Sequence, residues 1–514
     1  STQGYSSAAS DVYKRQTIGY LDDKNCFAGW KTIMKRQGAW VKYNNVDFGT
    51  SPVSSVTVRV CAPAGGMLQA GIYARDEKLV LAEINLSASK TWQDVTVPVT
   101  GDSAEGVHDL WVELKSGRSV EIDWIGFDAL PWREGAMDTG RYRNLFVEMG
   151  YPSDAVSTKL DSMYNALFHG SDRVYFEVGD SMAYISDLKN NDVRTEGMSY
   201  GMMISVQLNH RDEFDRLWKW SKDHMAYPTD SPWDGYFCWQ CAPDGRKIGG
   251  SNASDGEIYY ATALFLAGQR WNEPAYTAAA NEILAKTMSK DGETTGVYDL
   301  FDREKNLITF VPDRVGHGFT DPSYMLPAFL DQWAEVAGKD REFWAVAATA
   351  ARDHLVESAH PVTGLHPDYS NYDGSAYRWP QAGYDTSTYM YDAIRCAMNI
   401  GMDSYLTGKD TERQRDVMRR MLRFFKNDGF THGHFAIDGS NPTGGYSRGM
   451  DGSNAVGAIA LAHSDVPGDR ELATEFVQRL WDAEPPTGKY RYYEGMVYFL
   501  SLLHVSGNFA LDFN

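Results

Sequence analysis

EGMSYGMMISVQL (196–208) opens on a carboxylate and then turns apolar, with Met, Ile, Val and Leu at helical spacing. That period reads as a helix packed against others. Working outward, the same period recurs at YYATALFLAGQRW (259–271), REFWAVAATAARDHL (341–355), QRDVMRRMLRFF (414–425) and ELATEFVQRLW (471–481). No clear strands separate these runs, so a toroid or array of helices is expected. No fixed repeat period relates them, which rejects a simple solenoid. The connections are long, polar, aromatic and Gly-rich. Such segments suit a binding face made of loops on a helical scaffold.

Upstream the pattern changes. SSVTVRVCA (54–62), QAGIYA (69–74), LVLAEINL (79–86), WQDVTVPV (92–99), HDLWVEL (108–114) and VEIDWIGF (120–127) alternate at period two between Gly, Pro, Asp and Ser. This is the pattern of an antiparallel β-sandwich, expected over residues 17–130. Residues 1–16 are polar and patternless and read as a leader or scar outside the fold. Residues 131–141 read as a linker, and 142–514 as the helical domain. Two domains also suit a chain of 514 residues.

The net charge of −20 repels phosphate backbones and argues against a nucleic-acid partner. No apolar run has the length of a membrane span. The 15 Trp and 30 Tyr can stack on sugar rings or fill cores, and composition does not separate those uses. Five cysteines are too few for a disulfide scaffold, and Cys238 and Cys241 read as packing residues. Asp368, Asn371 and Asp373 resemble no calcium loop and read as an ordinary turn. No metal and no cofactor is expected.

Three carboxylates stand out by their neighbours. Glu196 and Asp255 each lie where a polar loop becomes an apolar helix, and Asp392 is flanked by aromatics and followed by Arg395. Taken singly, a carboxylate at a helix start caps it. Taken together, they supply what glycosidic hydrolysis needs: an acid to protonate the leaving oxygen, and a second carboxylate as base or nucleophile. Apolar and aromatic surroundings such as Met198 and Tyr200 would raise the acid's pKa.

Residues from about Tyr142 to Asn514 resemble glycoside hydrolase family 8. The resemblance rests on VRTEGMSYGM, FDRLWKW, GYFCWQC with PDG, ASDGEIYYATALF with RW, TDPSYMLPAF, YDAIRCAMNIG and PPTGKYRYYEGMVYFLSLLHVSGNF, in order. YFEVGD and NNDVRTEGMSYGMM look most like the xylan-active members that release xylose from reducing ends, and the C-terminal stretch also resembles endo-xylanases. The resemblance implies an (α/α)6 barrel and an inverting mechanism. It matches Glu196 to the family's acid, Asp392 to its base and Asp255 to the residue that holds the sugar at the cleavage point. It sets Arg194, Tyr200, Tyr324, Arg395 and Tyr493 around the site, with Trp239 as a sugar platform. Exo-acting members carry a Leu-His-Pro loop that closes the site, whereas GGYSRGMDG (444–452) stands here. An open cleft is the alternative this departure raises.

GAWVKYNNVDFG, SVTVRV, GVHDLWVELKSG and VEIDWIGF resemble carbohydrate-binding module family 6 over roughly residues 20–128, without its first strand. Trp92 matches a core tryptophan, Ser89 stands where the sugar-stacking one would be, and Glu121 replaces a sugar-binding Asn. The implied protein is a secreted or periplasmic, monomeric hydrolase of xylan or xylo-oligosaccharides. Hydrolysis of a β-glucan or chitosan is the alternative within the family. A non-catalytic sugar-binding protein is the rival class.

Overall fold

The computed structural model describes residues 16–22, 24–48, 53–74, 77–99, 104, 106–129, 135–464 and 466–513. Two compact units, Ser1–Trp132 and Arg133–Asn514, divide the chain.

The first is a sandwich of nine antiparallel strands: β1 (Gln16–Asp22), β2 (Asn25–Met34), β3 (Trp40–Asp47), β4 (Val53–Ala62), β5 (Gly66–Ala74), β6 (Glu77–Leu86), β7 (Ser89–Pro98), β8 (Val107–Gly117) and β9 (Val120–Ala129). One sheet runs β1-β2-β9-β4-β7 and the other β3-β8-β5-β6. Period-two alternation sends Val56, Val58 and Val60 of β4 inward, to a core shared with Leu68, Ile72, Leu110 and Val112. Residues 1–15 of the expected leader lie outside the described residues, while Gln16 already begins β1. Among the described residues, the tryptophan buried in this unit is Trp111, whose indole N–H donates to Ile72 O at 3.1 Å. Trp92, read as a core residue, is only half-buried, because its place on β7 belongs to an edge strand.

Among the described residues of the second unit, twelve helices of ten or more residues alternate between two roles. They are α1 (Ser153–Phe168), α2 (Thr195–Gln207), α3 (Arg211–Trp220), α4 (Ser254–Arg270), α5 (Pro274–Thr287), α6 (Pro327–Val336), α7 (Arg341–Glu357), α8 (Arg395–Thr407), α9 (Thr411–Asn427), α10 (Arg448–Ala458), α11 (Asp469–Asp482) and α12 (Arg491–Val505). The even-numbered helices pack in sequence, α2 on α4, α4 on α6, and so round to α12 on α2, which closes an inner ring of six. Each odd-numbered helix packs outside an even one. This is an (α/α)6 barrel. The inner helices are buried nearly all round, as α2 and α8 show, whereas α3 and α9 carry one apolar stripe against charged outer faces. Glycines let inner backbones touch. A Cβ on Gly401 would meet Val456 O at 2.0 Å, so only glycine fits there. No described helix is long and apolar enough to cross a membrane.

Of the expected linker 131–141, residues 131–134 lie outside the described residues. Ala136–Thr139 forms a helical turn with Ala136 buried, and a Cβ on Gly135 would strike Leu406 O at 2.2 Å, so this half packs on the barrel.

Candidate active site

The N-terminal ends of α2, α4 and α8 bring the three carboxylates together. Glu196 and Asp255 lie in the first turns of α2 and α4, and Asp392 lies in the 3₁₀ turn Tyr391–Ile394 leading into α8. Each helix needs a polar loop before its apolar run, and the carboxylate sits at that change.

Arg395, the first residue of α8, is the hub. Its Nη1 donates to Glu196 Oε2 at 3.0 Å, Asp255 Oδ2 at 2.9 Å and the Tyr200 hydroxyl at 2.8 Å. Its Nη2 donates to Ser323 Oγ at 2.8 Å and lies 3.4 Å from Asp392 Oδ1. Glu196 and Asp392 are thus held on different nitrogens of one guanidinium. Tyr492 donates its hydroxyl to Glu196 Oε1 at 2.8 Å. Burial pushes the Glu196 carboxyl up to about 7, and Asp255 and Asp392 add to the rise, while Arg395 and Tyr492 oppose it. Burial also raises the Asp255 carboxyl. The Asp392 side chain is 30% exposed, the most open of the three.

The other expected residues divide. Arg194, paired with Asp187 at 3.1 Å and Asp192 at 3.1 Å, lies 5.6 Å from the partly exposed Trp239 ring. Trp239 O accepts the N–H of Thr195, which ties this aromatic to the start of α2. Tyr324 is buried with its ring 5.6 Å from the Arg395 guanidinium. Tyr200 is fully buried, its hydroxyl committed to Arg395, so it supports the site from beneath. Tyr493 donates to Tyr391 O at 3.3 Å. Tyr236 and Tyr389 are fully buried; Tyr236 spends its hydroxyl on Thr287 O and Tyr298 O.

Sequence reading missed four residues. Tyr492 holds Glu196, as above. Asp321 and Asp368 are fully buried carboxylates pushed well above the usual range, first by burial and then by the charge of Asp392. Tyr384 donates to Asp368 Oδ2 at 2.6 Å. Asp368 was read as part of an ordinary turn; its carboxylate instead accepts the Asp392 N–H at 3.0 Å. The doublet Tyr492–Tyr493 before an apolar run was the one signal available for Tyr492. Cys238 and Cys241 are buried and free. Among the described residues no cluster of His, Cys, Asp or Glu has the arrangement to hold a metal ion.

Beside the carboxylates lies a cavity of ≈ 350 Å³ lined by Arg194, Tyr391, His434, Gly445, Tyr490 and Tyr493, among others. It has the size and aromatic lining of a small-molecule site.

The family model of the glycosyl hydrolases family 8 matches residues 184–506, and that of carbohydrate binding module family 6 matches residues 14–129, beginning upstream of the expected start. The chain is 38% identical over 387 residues to the reducing-end xylose-releasing exo-oligoxylanase Rex8A of Paenibacillus barcinonensis, covering 74% of this chain and 98% of that protein. The reducing end xylose-releasing exo-oligoxylanase of Bifidobacterium adolescentis is 36% identical, with 73% and 99% covered. A GH8 xylobiose complex from Teredinibacter turnerae superposes with a TM-score of 0.68 at 38% identity, covering 73% of this chain and 99% of that one.

Proposed function

The chain belongs to the glycosyl hydrolases family 8 and carries a family 6 carbohydrate-binding module, and from that premise we propose that Glu196 and Asp392 are the acid and base with which it hydrolyses β-1,4-xylosidic bonds by inversion. The observation that carries this reading is the single guanidinium of Arg395, which draws three carboxylates from three helices into one basin.

Glu196 suits the acid. Its carboxyl, up at about 7, still holds a proton near neutrality and is fixed on both oxygens by Tyr492 and Arg395. Asp392 suits the base. It is the most solvent-open of the three, so a water can reach it, and Arg395 steadies its charge. Inversion needs the two carboxyl groups about 6.5–9.5 Å apart, so that a water fits on the face of the sugar opposite the leaving oxygen, and their places on different nitrogens of Arg395 suit that arrangement. Water attacks the anomeric carbon as Asp392 takes its proton, and Glu196 gives its proton to the departing oxygen. Asp255, with one oxygen on Arg395 and the other buried without a hydrogen bond among the described residues, is suited to grip a sugar hydroxyl at the cleavage point. Trp239 and Arg194 offer a stacking face beside it, and Tyr324 lines the same basin.

The substrate reading rests on relatives that release xylose from reducing ends. The cavity beside the carboxylates favours a more open cleft than an end-specific enzyme needs, for Gly433, Gly445 and Ser447 line it and a Cβ on Gly445 would meet nothing. We therefore assign acceptance of two or more xylose units on the reducing-end side of the cut. The carbohydrate-binding module supports a place outside the cytoplasm where polymer is met. Proton NMR of the first product from xylohexaose should show the α-anomer, and initial β-anomer would refute inversion. Early xylotriose and xylotetraose would support the open cleft; xylose and xylopentaose alone would restore end specificity.

A further inference from the structure

We propose that Asp368 is a positioning residue for the base: it pins one end of the Tyr391–Asp392 peptide and so sets the direction in which the Asp392 carboxylate points. The proposal rests on Asp392 being the base.

The peptide between Tyr391 and Asp392 is gripped at both ends. Its N–H, that of Asp392, donates to Asp368 Oδ1 at 3.0 Å. Its carbonyl, that of Tyr391, accepts from the Tyr493 hydroxyl at 3.3 Å. Fixing one peptide plane from both sides fixes the torsion on either side of it, and with it the Cα–Cβ direction of Asp392. The grip has something to hold. Tyr391 sits at φ 43°, in the left-handed region that a bulky residue avoids unless its surroundings impose it. Asp368 is itself held. Its Oδ2 accepts the Tyr384 hydroxyl at 2.6 Å, and its own N–H donates to Thr388 O at 2.8 Å. The Tyr384 ring meets the Tyr391 ring edge-on at 5.0 Å, so the clamp reaches the strained residue directly.

An ordinary turn-closing carboxylate would serve only stability. Three facts set this one apart. Asp368 lies 24 residues from its partner, it is wholly buried, and the N–H it accepts belongs to the residue whose side chain does the chemistry. A buried carboxylate is costly to keep beside other carboxylates, and here Asp321 and Asp392 are neighbours. A neutral turn residue would hold a loop without that cost.

The test is kcat and KM on xylohexaose for Asp368→Ala, Asp368→Asn and Tyr384→Phe, each checked for an intact fold by circular dichroism and thermal melting. Asn keeps an oxygen for the Asp392 N–H, and the Tyr384 hydroxyl can turn to accept from its amide. Asp368→Ala should lower kcat about a hundredfold with KM changed less than about threefold, since misaiming a catalytic group costs on that scale. Asp368→Asn should recover to within about tenfold of wild type, and Tyr384→Phe should lower kcat by about three- to tenfold at unchanged KM. Folded Asp368→Ala with near-wild-type kcat overturns the proposal, as does Asp368→Asn as damaged as Asp368→Ala. If Asp368→Ala does not fold, Tyr384→Phe with unchanged kcat overturns it. Asp392→Asn is measured alongside. Full turnover in that variant overturns the base reading and the proposal with it, whereas loss there with none in Asp368→Ala overturns the proposal alone.

Discussion

Helix α8 carries a buried arginine cluster at each end, and the two are built differently. Near its C-terminal end, Arg352 of α7 donates to both oxygens of Asp403, at 2.8 and 2.6 Å, and also to Asp331. Lys409 takes the remaining Asp331 oxygen at 2.9 Å, and Gln414 and Thr407 complete Asp403. All four carboxylate oxygens have partners, and two cations face two anions. At the N-terminal end, one guanidinium, that of Arg395, pairs with all of Glu196, Asp255 and Asp392, with Asp321 and Asp368 close behind. Asp255 Oδ1, Asp321 Oδ2 and Arg395 Nε are buried without a hydrogen bond among the described residues. The closed cluster is a clip for the fold. The open one keeps unspent hydrogen-bonding capacity and strained pKa values, and those are what chemistry on a sugar uses.

The comparison breaks most sharply if the open cluster proves dispensable. Glu196→Gln and Asp392→Asn should each lower kcat by about two to four orders of magnitude while the thermal melt stays near wild type. Either variant keeping more than about a tenth of the activity would lose its assigned role.

Arg352→Met should do the reverse. It leaves Asp403 buried without its cation, at a cost of about 3–5 kcal/mol in a denaturant melt. The folded fraction should turn over within about twofold of wild type, because the lesion is remote from the basin. Lost turnover in folded protein would make the clip part of the site.

The open cluster should also announce itself in pH. As the proposed acid, Glu196 must be protonated to act, so kcat/KM should fall as pH rises through about 7. The Tyr492 hydroxyl favours the anion, so Tyr492→Phe should move that limb to higher pH; a shift downward would contradict the geometry. Stability carries the same sign. Between its ordinary 4.5 and about 7 the folded protein holds a proton that the unfolded chain releases, so this group makes the fold less stable as pH rises through that window.

The smallest effect is expected from the sandwich. Among the described residues, its buried side chains are apolar, and the buried polar and charged ones begin at Ser186. Its ion pairs range from the half-buried Lys31–Glu121 at 3.0 Å to the exposed Arg59–Asp94 at 3.2 Å. Deleting residues 1–132 should leave kcat/KM on soluble xylo-oligosaccharides within about twofold. Total loss in a folded truncation would show that the sandwich belongs to the catalytic unit.

The helices and strands were legible because each has a period, and Glu196, Asp255 and Asp392 because each marks the end of one. Asp321 and Asp368 lie in connections without a period, where an aspartate looks like any turn residue. Asp368 beside Asn371 and Asp373 was read as such, and only the folded connection, which brings its carboxylate onto the Asp392 N–H, reveals otherwise. Tyr200 was legible as a neighbour of Glu196 but not as its support, since helical spacing says which face a residue takes and not what waits there. The cavity near Gly445 was foreshadowed only by what the stretch 444–452 lacks.

Ring closure has a consequence for how the enzyme comes into being. The hydroxyl that steadies Glu196 belongs to Tyr492, 296 residues later, on the helix that seals the ring against α2. At a synthesis rate of about 5–20 residues per second, Glu196 waits about 15–60 s on the ribosome before that partner exists. Throughout that time the inner helices, apolar on nearly every side, lack the last neighbour that covers them. A nascent barrel is therefore both inactive and adhesive until its final helix arrives, and a chain stopped before Arg491 has no route to either a finished core or a finished acid.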